Sequence, residues 1–326
     1  MKPNPQRLAP LALPVAAAVL LYVAPNYAAG TSLPFIILNW IVLAESFNMF
    51  AGLTGYVNFG HVVFYGVGGY IGGLLMANSM ASPYAAVLAG GLGSALLALG
   101  MSLPTTRLRG AYFAIATLSI NEAVFVIFDN WDAVGSAPGF TIPIADYLPL
   151  QVYYVMAIVA ALCVATMYFM TRSKFGVAMQ AIRQQEKTAS SIGVNAAFYK
   201  TVALVISGFF AGLAGALAIW QIAFIDPTNA FDVRVTLNSI SMVMLGGLGT
   251  VVGPIIGGTL LYGVGDYLDR RYPFLHLIVL GVVIIGVVMA MPQGIVGASR
   301  RFFQARRIRR EESEGDGSNS RDLAHL

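Results

Sequence analysis

The sequence predicts an all-α polytopic membrane protein of about eight to ten transmembrane helices, some of them broken by glycine or re-entrant. Apolar residues make up 57% of the 326 positions and charged residues only 10%, against roughly 25% charged in soluble domains. From Leu8 to Thr106 there is one formal charge, Glu45. A surface in water needs more charge than this, whereas continuous apolar runs of about 20 residues match the hydrocarbon thickness of a bilayer.

Eight apolar runs are long enough to be spans. A β-barrel would need alternating segments of about 10 residues instead. The first run is expected to be a retained helix rather than a signal peptide, because it is rich in proline and lacks a clear small-x-small cleavage site. The predicted spans are 8–28, 32–51, 59–80, 83–103, 110–128, 150–171, 200–222 and 273–291.

Segment 236–265 has an unusual length for a membrane segment. At 1.5 Å per residue it would reach about 45 Å, too long for one span and too short for two. It is interrupted by several glycines and by Pro254. We therefore predict a pair of half-helices or a re-entrant hairpin that begins and ends on the same side of the membrane.

The positive-inside rule orients this layout. With both termini inside, the cytoplasmic segments hold 16 of the 19 Lys and Arg residues, seven of them in the tail. The domain prediction is a single transmembrane domain over 1–298, with a cytoplasmic polar loop at 172–200, and a charged tail over 299–326 that is expected to be disordered. The arginines of the tail suit an anionic inner leaflet.

Several classes of function lack their motifs. There is no G-x-x-x-x-G-K-[ST] phosphate loop and no H-E-x-x-H, and the three histidines are scattered. The single cysteine, Cys163, lies in an apolar run and is expected to be a small core residue. We expect this chain to bind no cofactor, metal or nucleic acid and to have no catalytic residues.

Two glycine-interrupted regions lie in comparable places of the two halves. Broken helices are tolerated at membrane depth where they line a cavity or are buried by protein, and in transporters such pairs mark the substrate path. Close helix packing through small residues is the alternative, and we favour packing for Gly66–Gly73. The residues predicted to line the pathway are Asn48, Gly52, Gly55, Tyr56, Asn58, Gly60 and His61 in the first region, and Gly246, Gly247, Gly249, Gly253 and Pro254 in the second.

Glu45 and Glu122 are ionisable residues inside apolar runs. Each would cost a few kcal/mol if it faced lipid, so we expect both to be buried in the bundle. A proton or cation relay is one interpretation. A structural network with Asn39, Asn48 and Asn121 is the favoured one, because the sequence offers no chain of carboxylates.

The stretch 172–200 is a polar, helix-forming segment between two long apolar runs. Phe175, Met179, Ile182, Ala189 and Ile192 recur at helical spacing and form an apolar stripe. Gly193 follows the stripe and predicts the end of the helix. Such a helix could lay its stripe in a partner's groove or lie in the headgroup layer, and periodicity leaves both open.

Six blocks of sequence occur in a characteristic order and spacing over roughly 39–297. They are Phe47-Asn48 to Gly60-His61, RLRG from Arg107 with Thr117-Leu118 and Glu122, Phe175-Gly176 to Gly193-Val-Asn195, SGFFAGLAGAL from Ser207, LGGLGTVVGP from Leu245 and PQGIVG from Pro292. In these blocks the chain resembles the permease subunits of bacterial branched-chain amino-acid ABC importers, specifically the M-type member of the Liv system.

This resemblance implies an ABC importer permease fold in the bacterial inner membrane. The implied partners are an H-type sister permease, two cytoplasmic ATPases that bind ATP and Mg, a periplasmic binding protein and membrane lipid. It also implies that the loop around Ala181–Gly193 is the coupling helix that contacts an ATPase. The implied coupling residues are Phe175, Met179, Ala181, Ile182, Arg183, Glu186, Ala189 and Gly193.

One departure from the family concerns the substrate. Where family members commonly have G-Q-x-S-x-G-H, this chain has tyrosine at 56 and asparagine at 58. We expect leucine, isoleucine and valine or related small polar solutes as substrates. Urea, amides and other amino acids are the alternatives, and an ion-coupled secondary transporter is the alternative from another class.

Overall fold

The computed structural model describes residues 31–143, 149–272, 281 and 294–297. Predicted spans 8–28 and 273–291 and the tail therefore lie outside the described residues, apart from position 281. Within the described ranges the chain forms ten α-helices and one short sheet. The helices are α1 Ser32–Thr54, α2 His61–Ala77, α3 Pro83–Thr105, α4 Ala111–Asp129, α5 Pro149–Arg172, α6 Lys174–Ser191, α7 Ala196–Ile222, α8 Pro227–Ala230, α9 Val233–Gly246 and α10 Gly253–Arg271.

Five of these helices, α1, α3, α4, α5 and α7, are long and apolar enough to cross a membrane, and α2 is a shorter apolar helix. The predicted spans at these positions are confirmed to within a few residues. A 3₁₀ turn, Asp132–Val134, follows α4. The strands β1 (Phe140–Thr141) and β2 (Phe224–Ile225) pair antiparallel and join the α4–α5 connection to the end of α7.

The core forms around α7, which packs against α1, α2, α3 and α5. Small residues allow the backbones to approach closely, as in membrane bundles generally. A Cβ added at Gly68 would collide with the backbone of Gly212, and one added at Gly90 would collide with the Gly68 carbonyl. The packing interpretation of Gly66–Gly73 is therefore confirmed for Gly68.

The region 236–265 folds as two helices, α9 and α10, that pack against each other and against α1. The turn between them contains Gly247 and Gly249, both with positive φ. Gly257 lies so close to the Met242 carbonyl that any side chain there would clash. The predicted break of this segment into two helices is confirmed, because glycine permits both the sharp turn and the close helix contact. That the pair begins and ends on the same side of the membrane stays a prediction.

Candidate coupling site and translocation pathway

Helix α6 is the polar helix predicted between two spans. Ser173 caps its start by accepting a hydrogen bond from the Gly176 N–H, 3.4 Å away. Gly193 follows its end with φ +88°, so the predicted stop is confirmed. Gln185, at φ −160° and ψ 104°, is extended and divides α6 into two segments. This break was not predicted from the sequence.

The apolar stripe of α6 faces the chain's own bundle. Met179, Ile182 and Ala189 are at most 2% exposed, and the Phe175 ring lies 5.1 Å from that of Tyr199 on α7. For these side chains, the structure contradicts both interpretations of the stripe: they contact neither a partner's groove nor the headgroup layer. The physical reason is that α1, α5 and α7 already supply an apolar surface for the stripe.

The remaining predicted coupling residues lie at the surface or point inward as polar links. Ile192, the last residue of the predicted stripe, is 73% exposed and lies at the C-cap, one residue after the end of α6. Ala181 is half-buried, and Gly193 is exposed, with open space where a Cβ would lie. Contact of α6 with an ATPase stays a prediction. Because the stripe is buried, the predicted contact surface is now the exposed face of the helix.

Glu186 is the centre of a polar cluster drawn from four segments. Its Oε2 accepts hydrogen bonds from the Tyr56 hydroxyl and, at 2.7 Å, from Lys200 Nζ. Arg109 Nε lies 3.5 Å from Oε1. Lys200 Nζ also sits over the Tyr56 ring, 3.8 Å from its centroid. The cluster joins α6 to α7, to the α1–α2 connection and to the α3–α4 connection.

The charges in this cluster stabilise one another. The Lys200 side chain is fully buried and that of Glu186 is 14% exposed, so each needs its partner. Burial alone would raise the pKa of Glu186. The hydrogen bonds from Lys200 and Tyr56 and the nearby positive charges outweigh it and hold this pKa below 4.5. Burial and Glu186 raise the pKa of Tyr56 above 10, so its hydroxyl remains a donor.

Arg183 forms a second link from α6 to the broken end of α1. Its Nη1 donates a hydrogen bond of 2.5 Å to the Gly52 carbonyl. Gly55 ends α1 in the left-handed conformation, φ +78°, and a Cβ there would lie 2.9 Å from Arg183 Cγ. A Cβ on Gly249 would lie 2.8 Å from Arg183 Nη1. The guanidinium therefore lies between the two glycine-broken regions.

Asn48 fastens the α9–α10 turn to α1. Its Nδ2 donates to the Thr250 carbonyl at 2.9 Å, and its Oδ1 accepts from the Gly249 N–H at 2.8 Å. Asn48 is fully buried, and Gly52 leaves room for the turn, since a Cβ there would lie 2.9 Å from the Gly249 nitrogen. The two predicted breaks, about 200 residues apart in sequence, thus meet beside α6.

An open groove of about 650 Å³ lies beside this junction. Gly55 and Tyr56 line it, together with Arg183 and Glu186 of α6. Its other walls are the first turn of α4 and the middle of α9. Of the predicted pathway residues, Gly55 and Tyr56 line this groove. The full lining is Thr54, Gly55, Tyr56, Val57, Phe59, Gly110, Ala111, Ala114, Ile182, Arg183, Gln184, Gln185, Glu186, Leu237 and Ile240.

Other predicted pathway residues lie buried between helices: Asn58, Gly60, His61, Gly246, Gly247, Gly253 and Pro254. Asn58 Oδ1 accepts from the Gly60 N–H at 3.0 Å and shapes the turn into α2. His61 Nε2 lies 3.1 Å from Ser46 Oγ. Their role in the pathway stays a prediction.

Glu45 is fully buried in α1, as predicted. Glu122 is exposed on α4, so the prediction that it is buried is wrong. The buried face of α4 carries Phe113, Thr117 and Asn121 at four-residue spacing, and the residue after Asn121 lies about 100° away around the helix. Asn121 Nδ2 donates to the Phe231 carbonyl at 3.2 Å, which supports the expected structural role for this asparagine.

Arg109 and Lys200 were not among the predicted site residues. Lys200 is charged within the first turns of an apolar helix and lies 14 residues after Glu186. A lysine at such a position is a sequence signal for a buried partner. Its pairing with Glu186 could not be predicted, because the break at Gln185 sets the direction of the carboxylate.

These features define a multi-pass membrane protein whose polar helix is tied to two broken segments. Residues 32–288 match the family described as "Branched-chain amino acid transport system / permease component". The chain belongs to this family of transport permeases.

Among its relatives is the high-affinity branched-chain amino acid transport system permease protein LivM of Salmonella typhimurium. It is 26% identical over 292 residues, which cover 80% of this chain and 68% of LivM. LivH of the same organism is 26% identical and covers 79% of this chain and 91% of LivH. The D-allose transport system permease protein AlsC of Escherichia coli is 23% identical, covering 63% and 66%. No solved structure gives a significant match.

Proposed function

We propose that this chain is the translocation subunit of an ATP-driven ABC importer for branched-chain amino acids or related small polar solutes. It is non-catalytic and binds no cofactor. A sister permease related to LivH completes the pathway, two ATPases bind ATP and Mg, and a periplasmic binding protein delivers substrate. The chain lies in the bacterial inner membrane with both termini in the cytoplasm. The names of its relatives support the substrate class.

One observation carries the mechanism. Arg183 and Glu186, on one polar helix, bind the last turn of α1 and the start of the α1–α2 connection, and Arg183 also lies against the α9–α10 turn. A displacement of α6 would therefore move both broken segments together. An ATPase that pushes on the exposed face of α6 would act on the pathway through these two side chains.

Uptake by the reconstituted complex tests this proposal. Vesicles that contain this chain, its sister permease, the ATPases and the binding protein should take up labelled leucine with ATP inside. Uptake should survive a protonophore and stop without ATP. Uptake by this chain alone, driven by a proton or sodium gradient, would overturn the proposal in favour of secondary transport. Competition by valine but not by urea would support the substrate class.

A further inference from the structure

Glu122 stands out when the outer faces of the long helices are compared. The exposed face of α3 is a run of leucines spaced along the helix, and that of α5 carries Ile158, Leu162 and Phe169. These faces suit lipid. The exposed face of α4 carries a carboxylate, and by Glu122's position it lies about 16 Å from one helix end and about 10 Å from the other. The exposed α3 residues are Leu88, Leu92, Leu96, Leu99 and Leu103.

Helix α4 is also the least covered of the five spans. Only 17% of its apolar window is buried, against 39% to 83% for the others. A carboxylate at this depth needs water or a positive group. The uncovered side of α4 also exposes Ile115 and Val126, so it is the surface around Glu122 that must meet something other than lipid.

The groove beside α6 borders the first turn of α4, on the helix face that carries this carboxylate further along. Ala111 and Ala114 line the groove, and Leu118 and Glu122 continue the same face at three- and four-residue spacing. About 100° around the helix from Leu118, Thr117 of α4 accepts a hydrogen bond from the Phe59 N–H at 3.1 Å, inside the broken α1–α2 segment. The exposed face of α4 is thus continuous with the groove.

We propose that this face, Ala111–Ala114–Leu118–Glu122, is one wall of a water-filled translocation path, and that the Glu122 carboxylate receives the ammonium group of the amino acid. The assignment of the ammonium rests on the proposed function. A free amino acid carries a positive ammonium beside its carboxylate, and a carboxylate in a water-filled cleft with low-dielectric walls attracts it. The second permease closes the opposite wall.

Cysteine accessibility in the assembled transporter tests the wall. In a Cys163→Ala background, Leu118→Cys and Glu122→Cys are compared with Leu96→Cys on α3, a matched control on a leucine face. Thiolates form and react in water. We expect a charged, membrane-impermeant thiol reagent to modify both α4 positions at least tenfold faster than Leu96→Cys. Equal rates at all three positions would overturn the proposal. It would also be overturned if the reagent fails to modify the two α4 cysteines and they instead form a disulfide with the sister subunit.

Substitution and protection test the ammonium. Saturating leucine, delivered by the binding protein with ATP, should slow modification of Leu118→Cys at least threefold, and Glu122→Gln should lower leucine uptake at least tenfold. Glu122→Asp, which keeps the charge, should retain more than a third of the uptake. If Glu122→Gln transports normally and leucine gives no protection, the ammonium assignment is wrong. A wild-type complex that fails to import any amino acid would refute the proposed function instead, while the contrast with Leu96→Cys would still test the wall.

Discussion

At the residue scale, Glu186 and Lys200 form an ion pair between two largely buried side chains. Lys200 has no exposed side-chain surface, so its charge depends on Glu186. A buried pair often adds little compared with an apolar pair, but loss of one partner leaves an uncompensated charge. The pair therefore fixes the position of α6 against α7 more than it adds to overall stability.

Replacing one member of the pair should harm the protein more than replacing both. We expect Glu186→Gln to lower the free energy of unfolding by about 3 kcal/mol, and the double variant with Lys200→Met to regain most of that loss. Thermal unfolding of the purified complex measures both. Lys187→Ala, on the exposed side of α6, is the control and should change stability by less than about 0.5 kcal/mol. Equal losses in the single and double variants would contradict this account.

The same pair predicts a pH dependence. The folded pKa of Glu186 lies below its ordinary value of 4.5, so its stabilisation is present above that pH and is lost as the pH falls through the folded pKa. The difference in unfolding temperature between wild type and Glu186→Gln should therefore be constant at neutral pH and shrink below about pH 4.5. A difference that persists unchanged at about pH 3 would show that ionisation is not the cause.

Alanine substitutions at three glycines distinguish the cost of backbone strain from the cost of a clash with Arg183. Gly55→Ala should destabilise by about 1–3 kcal/mol from its positive φ, with a further loss because Arg183 occupies the space. Gly193 also has a positive φ, but open space surrounds it. Gly193→Ala should therefore lose only the stability that the backbone strain costs. Gly100→Ala, inside α3 with open space, should be neutral or stabilising by about 0.5 kcal/mol. Thermal unfolding that ranks them in another order would contradict the placement of Arg183.

At the scale of the element, α6 has an inner face that is already occupied and an outer face that is exposed. Met179 and Ile182 pack within the bundle, so a charge introduced there would unfold the helix rather than test docking. The outer face carries Val177 and Lys187, and Ile192 follows at the end of the helix. A partner that binds α6 in this chain must therefore bind that largely polar face and its exposed apolar residues.

Docking on the outer face is tested at Ile192. Ile192→Asp places a charge where the side chain is 73% exposed, so folding should be unaffected. We expect co-purification of the ATPases to fall at least tenfold, equivalent to about 1.4 kcal/mol of binding free energy. Met80→Asp, at a 72% exposed position in the α2–α3 connection, is the matched control. Undiminished co-purification with Ile192→Asp would place the ATPase contact elsewhere.

At the scale of the whole molecule, Arg183 links the polar helix to both broken regions. Arg183→Ala should therefore uncouple the transporter: ATP hydrolysis persists, while leucine transported per ATP falls at least fivefold. The ratio of uptake to phosphate release in vesicles measures this. Arg172→Ala removes an arginine whose observed contact is with the Tyr168 ring, and it should keep the wild-type ratio. A normal ratio in Arg183→Ala would show that α6 acts through other contacts.

The sequence by itself determined the membrane class, the bounds of the spans between 32 and 222, the paired helices at 236–265 and the polar helix that ends before Gly193. These follow from the length of apolar runs and from glycine's backbone freedom, which are local properties. Only the tertiary structure decided which faces are covered. It turned the stripe of α6 inward, paired Glu186 with Lys200 and brought Asn48 to the distant turn at Gly249. It also left Glu122 exposed, because coverage depends on neighbouring helices that no local pattern specifies.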